Sequence, residues 1–319
     1  VTLADEILNL DDRLQLATPF GLPTKFVKDS IRQAQRFQFD ATAVEAVINL
    51  LRSKPSSLTE AAFQFARPPY DLCWIEWPAP DVTPMLPTQI RAARVGVLLM
   101  AENDRRFMLV AAWTYSGEAW RRMRTEDPAG IVESSKVGWS EIAAEIDFSG
   151  LPGGSMRLWE PHADPREDAA AARLERHIGF RVIGGNGYPD IVRMYGRELA
   201  QSKLADIAQE VKPTIGMLIL MGSKNCVDLK PIEPPAQLNK ARVKRGRLPL
   251  VGYTNVSISL GRRDSRQASA HGVSAEDIRQ HLVRGHFKIR KTGVYWWRNH
   301  IRGAAAAGTV EHKSYRVTA

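Results

Sequence analysis

Two histidines and their neighbours carry the clearest chemical suggestion in the sequence. The stretch from Leu282 to Arg302 reads LVRGHFKIRKTGVYWWRNHIR. Within it, His286 and His300 lie among Arg284, Lys288 and Arg298. Imidazoles titrate near neutral pH, so one ring can accept a proton from a 2′-hydroxyl while the other donates one to a leaving oxygen. Nearby cations would stabilise the charge that builds on phosphorus. That is the logic of RNA cleavage without a metal. The same side chains also suit a simpler task. Arg284, His286, Lys288, Arg290, Arg298 and His300 can contact phosphates, and Trp296 offers a ring on which a base could stack, worth about 1–3 kcal/mol.

Either task needs these residues on one face. The first half of the stretch alternates strictly, with Val283, Gly285, Phe287 and Ile289 on one side and Arg284, His286, Lys288 and Arg290 on the other. Lys291-Thr292-Gly293 fits a three-residue hairpin loop with Gly293 in the left-handed position. That loop sets Lys288 opposite Trp296, His286 opposite Arg298 and Arg284 opposite His300. His286 and His300 then become diagonal neighbours. A slip of one residue would mix basic and apolar positions on both faces.

A second basic stretch lies upstream. Lys240, Arg242, Lys244, Arg245 and Arg247 follow Pro231, Pro234 and Pro235, a composition expected of an extended, exposed arm that could add phosphate contacts. The whole chain has a formal charge of +9, distributed unevenly. Up to Met221 there are 25 Lys and Arg against 29 Asp and Glu, and from Gly222 onward 19 against 6. Five of the seven histidines also fall in that last part. Such asymmetry points to a polyanionic partner, nucleic acid first, because clustered cations gain from counterion release. A solvated basic surface is the plainer reading. An acidic host or virion protein is the other candidate partner.

Other chemistries find little support. Two cysteines, Cys73 and Cys226, provide neither a disulfide framework nor a Cys-rich zinc site. The late histidines match no zinc spacing, so no metal is expected. Neither a phosphate-binding G-x-x-x-x-G-K-[ST] loop nor a G-x-S-x-G elbow occurs, and no cofactor is expected. Glu76, between Trp74 and Trp77, is a candidate buried carboxylate, either functional or structurally paired. Apolar runs such as Ile215 to Met221 are far short of the roughly 20 residues a membrane span needs. The expectation is a cytoplasmic protein that does not meet a membrane.

With 319 residues the chain suggests two domains. The first 65 residues read as helical, with Asp40 capping a helix whose buried face carries Val44, Val47, Ile48 and Leu51. Leu72 to Trp77, Arg94 to Met100 and Phe107 to Trp113 read as strands, the last two joined at Glu102-Asn103-Asp104. One helix is expected from Asp164 to about Ile178, and another from Asp190 to Val211, stopped by Pro213. Ile215 to Met221 and Cys226 to Leu229 read as strands. The resulting expectation is an α+β fold: a mixed domain over 1–221 with a mostly antiparallel sheet, a basic linker over 222–250, and a basic hairpin domain over 251–319.

PPAQLNKARVKRGRLPL and RGHFKIRKTGVYWWRNHIRG, with PPYDLCWIEW and RVGVLL nearer the amino terminus, together resemble signatures of uncharacterised proteins encoded by tailed bacteriophages and prophages. The resemblance implies a viral genome in a bacterial cell as the setting, and no catalytic residues. The function expected overall is nucleic-acid binding, RNA slightly ahead of DNA. A metal-free endoribonuclease using His286 and His300 is one alternative. A virion component or an inhibitor of a host system is the other.

Overall fold

The strands at the heart of the molecule are almost continuously apolar because helices cover both of their faces. The computed structural model describes residues 2–10, 22–53, 65–79, 92–115, 137–140, 142–149, 177–182, 190, 192–193, 196–223, 227–258, 279–283, 286–290, 292–297, 300–302 and 304–309. Nine strands form the main sheet: β1 (Gln35–Phe39), β2 (Leu72–Pro78), β3 (Ala92–Asn103), β4 (Arg106–Tyr115), β5 (Val137–Trp139), β6 (Ile142–Asp147), β7 (Ile178–Val182), β8 (Val227–Ile232) and β9 (Tyr253–Ile258). Their order is β7, β6, β4, β3, β2, β1, β9, β8, with β5 paired to β4. β1 runs parallel to β2 and β9, and every other pairing is antiparallel. The mixed helix and strand content and the mostly antiparallel sheet agree with the sequence.

Helices α1 (Leu3–Leu8) and α2 (Thr24–Gln33) cover one face, and α3 (Ala41–Ser53) and α4 (Arg197–Met221) the other. Alternation sorts the side chains. Cys73, Ile75 and Trp77 of β2 join the core under α3 and α4, while Trp74 joins the core under α1 and α2. A Cβ at Gly96 would overlap the ring of Trp74, so glycine is what lets that ring lie across β3. The helix expected after Asp40 is present as α3. The Asp40 carboxylate accepts the Ala43 N–H at 2.8 Å, and Val44 and Val47 are buried.

Several expectations are corrected. The amino-terminal region is not wholly helical, because Gln35–Phe39 forms the central strand β1. Its short Gln-Arg-Phe-Gln-Phe run gains strand structure from neighbours on both sides, which no local pattern announces. The β3–β4 turn is at Asp104-Arg105, one residue later than expected. Ile178 begins strand β7 rather than ending a helix; the rest of that expected helix, Asp164 to His177, falls mostly outside the described residues.

The helix expected to stop before Pro213 runs straight through it to Met221, and the strand expected over Ile215 to Met221 is its last two turns. Leu204, Ile207, Ala208, Val211, Ile215 and Leu218 are all buried at helical spacing. That packing outweighs the roughly 3 kcal/mol that an internal proline costs. A short apolar run alone cannot separate a buried helix from a buried strand.

The linker expected over 222–250 is also different. β8 and β9 both belong to the main sheet, and between them lies helix α5 (Ala236–Lys244). The division drawn at 222 and 251 therefore cuts across one sheet. Farther along, β10 (Arg279–Val283) pairs antiparallel with β13 (His300–Arg302) and parallel with β14 (Ala304–Thr309). β11 (His286–Arg290) and β12 (Gly293–Trp297) form a two-stranded ladder. Among the described residues no helix is long and apolar enough to cross a membrane.

Candidate nucleic-acid interface

The hairpin exists, with a register one residue away from the expected one. Arg290 pairs with Gly293, Ile289 with Val294, Lys288 with Tyr295, Phe287 with Trp296 and His286 with Trp297. The ladder runs as far as the Arg290–Gly293 pair, which leaves room for two residues between the strands in place of three, and Gly293 is a paired strand residue. Directly opposed residues share a face. By register, His286, Lys288 and Arg290 therefore share theirs with Tyr295 and Trp297. Trp296, the residue chosen from sequence for stacking, falls on the side of Phe287 and Ile289.

The same correction separates the histidines. His300 pairs with Val283, while His286 pairs with Trp297. They lie three residues out of register and are not diagonal neighbours. Arg284 and Arg298 are outside the described residues. At the tip, the Arg290 guanidinium lies 5.8 Å from the centre of the Tyr295 ring, and the Tyr295 hydroxyl is 3.0 Å from Thr292 Oγ1. Tyr295 and Trp297 are the aromatic positions that sequence reasoning missed. Lys291-Thr292 carries none of the Asn-Gly or Asp-Gly chemistry that marks a two-residue turn, so the glycine one place later drew the loop to itself.

The second basic stretch is no extended arm. Ala236–Lys244 is helical, with Pro234 and Pro235 immediately before it. Its carboxy-terminal end closes by a paired-bond cap. The Arg247 N–H reaches the Arg242 carbonyl and the Gly246 N–H reaches that of Val243, each at 2.9 Å, with Gly246 at φ 69°. Asn239 ties the helix to the returning chain. Its Nδ2 donates to the Leu250 carbonyl at 2.9 Å, and its Oδ1 accepts the Leu250 N–H at 2.7 Å. Arg242 Nε donates to the Leu248 carbonyl at 2.9 Å. No residue of α5 is buried. Lys240, Lys244, Arg245 and Arg247 are exposed and Arg242 is half-buried. Among the described residues none of the five forms an ion pair.

A different group of charges sits between α1 and the sheet. Glu76 is buried and accepts three hydrogen bonds, from Leu3 N at 3.2 Å, Ala4 N at 3.0 Å and Trp74 Nε1 at 2.9 Å. It caps α1 from strand β2. Burial pushes its carboxyl above the usual range, against the pull of these donors and of Arg94. Arg36 caps the other helix on this face, with Nε and Nη2 on the Ile31 carbonyl at 3.1 and 3.0 Å. Burial pulls its guanidinium down, while Asp5 and Glu76 hold it up. Arg36 Nη1 finds no hydrogen-bond partner among the described residues. It borders a small cleft shared with Thr2, Gln38, Trp74, Glu76 and Tyr253. With every Glu76 bond directed at a helix end or an indole, the cluster anchors α1 and α2. Nearby, burial raises the Cys73 thiol to about 11, which leaves it protonated and unreactive at neutral pH.

Among the described residues, no three His, Cys, Asp or Glu side chains gather closely enough to hold a metal ion. No protein-family model matches the chain, and no curated protein or solved structure matches it either.

Proposed function

We propose that this is a phage-encoded nucleic-acid-binding protein whose contact surface combines α5 and its following turn with the β11–β12 hairpin. The observation that carries this reading is α5. Residues 234–251 contain five cations and no acid, and they are held in a fixed, exposed conformation. Cations set this close together repel one another unless a polyanion or water separates them, and phosphates supply both charge and hydrogen-bond acceptors. The hairpin adds Lys288 and Arg290 on the side that also carries Tyr295 and Trp297, the pairing of cations and rings that single-stranded nucleic acids use. The ribonuclease reading draws no support from the strand pairing, because His286 pairs with Trp297 and His300, on β13, with Val283, so the two are not neighbours by register.

The test is fluorescence anisotropy with labelled single-stranded RNA and duplex DNA over a salt series. Binding should weaken steeply as salt rises, with the oligonucleotide recovered intact on a denaturing gel. Absence of binding to either probe at low salt would refute the proposal.

A further inference from the structure

We infer that α5 is a groove-entering helix and that its ligand is B-form duplex DNA, met through the major groove. The inference rests on the nucleic-acid reading above and names the ligand within it.

A nine-residue helix that buries nothing should hardly persist. Among the described residues, α5 does so through local devices: two prolines before it, the Gly246 cap after it, and the Asn239 and Arg242 bonds to Leu248 and Leu250. These fix the helix to the chain that leads from it towards β9. They contribute nothing to either core. The sequence thus maintains a rigid helix whose sides remain available.

The clamp also determines which side is available. Asn239 and Arg242 face the returning chain and are the half-buried members of the helix. The opposite side carries Gln237, Lys240, Ala241 and Lys244, spaced i, i+3, i+4, i+7. This is the equipment of a helix that reads base edges. Ala241 allows close backbone approach and can meet a thymine methyl. Gln237 offers a donor and an acceptor together, as adenine requires in the major groove. Lys240 and Lys244 supply cations without an acid to repel phosphate. Arg245 and Arg247, in the turn beyond the helix, are placed for a flanking phosphate strand.

Groove dimensions choose between nucleic acids. An α-helix with its side chains is about 10–12 Å across. The major groove of B-form DNA, about 12 Å wide, admits it; the B-form minor groove, about 6 Å wide, does not. The major groove of A-form RNA is too deep and narrow for side chains to read. The slight preference for RNA expected from the sequence therefore does not extend to α5.

The experiment uses the full chain with a fluorescein-labelled DNA duplex of about 20 base pairs, two helical turns. An RNA duplex and a single-stranded RNA of the same sequence serve as comparisons. The duplex DNA should bind more tightly than the duplex RNA. Methyl green, which occupies the major groove, should compete, and netropsin, which occupies the minor groove, should not. Replacing both Lys240→Ala and Lys244→Ala should lower DNA affinity by about tenfold and flatten the salt dependence. Circular dichroism and the melting midpoint should be unchanged, because neither lysine is buried. Equal DNA binding by the double variant, stronger binding to duplex RNA, or competition by netropsin alone would overturn the inference and leave the nucleic-acid reading standing. Absence of binding by the native chain to all three probes at low salt would remove both and point to an acidic protein partner.

Discussion

Glu76 occupies a place that its charge opposes. Its oxygens satisfy two backbone donors at the start of α1 and the Trp74 indole, yet the site is buried and favours the neutral acid. Because the folded chain holds this proton more tightly than the unfolded chain does, the contribution of Glu76 to stability is fully present below the ordinary carboxylate range. It is lost as pH rises through the raised folded value. Chemical denaturation of the protein and of Glu76→Gln at a series of pH values tests this. The stability of the native protein relative to the variant should fall as pH rises from about 4.3 upward. A constant difference would show that the carboxyl titrates normally. The sequence pointed to Glu76 as a buried carboxylate. It could not show what the carboxyl holds, because Leu3 and Ala4 lie more than seventy positions away along the chain.

At the scale of elements, local rules succeeded where an element is stabilised locally. Asp40 and the Val44–Val47 face announced α3, and runs of apolar residues announced β2, β3 and β4. They failed where a neighbour decides the outcome. β1 is a strand through pairing with β2 and β9, and α4 survives Pro213 through packing against the sheet. The hairpin strands were legible and their register was not, since one residue in the turn shifts every facing pair. α5 presents the opposite situation, being stabilised locally yet missed because its charges suggested an open chain. Its Gly246 cap offers a direct probe. A side chain at φ 69° costs roughly 1–2 kcal/mol, so Gly246→Val should loosen the end of α5. Hydrogen exchange of the amides of residues 239–247 should accelerate, while β2, β3 and β4 exchange as before. Unchanged protection over 239–247 would mean that the clamp at Asn239 suffices without the cap.

For the whole molecule, the order of strands across the sheet differs sharply from their order along the chain. β1, at residues 35–39, is completed on one side by β9, at residues 253–258. A ribosome must therefore add more than two hundred residues after β1, which ends at Phe39, before β9 begins at Tyr253 and the central strand can acquire its second neighbour. Until then β1 exposes an unpaired edge beside an apolar face, the kind of surface that recruits other chains. A fragment ending at residue 226, lacking β8, α5 and β9, should sediment as aggregate where the full chain stays monodisperse. Adding a peptide that spans 227–258 during refolding should restore part of the soluble yield. A soluble, cooperatively melting fragment would show that the sheet closes without its last two strands. Synthesis of this protein thus includes a waiting period, during which the open edge of β1 is exposed to association with sibling chains. The basic helix α5 is made only at the end of that period, so the proposed DNA contact becomes available only as the sheet that supports it can close.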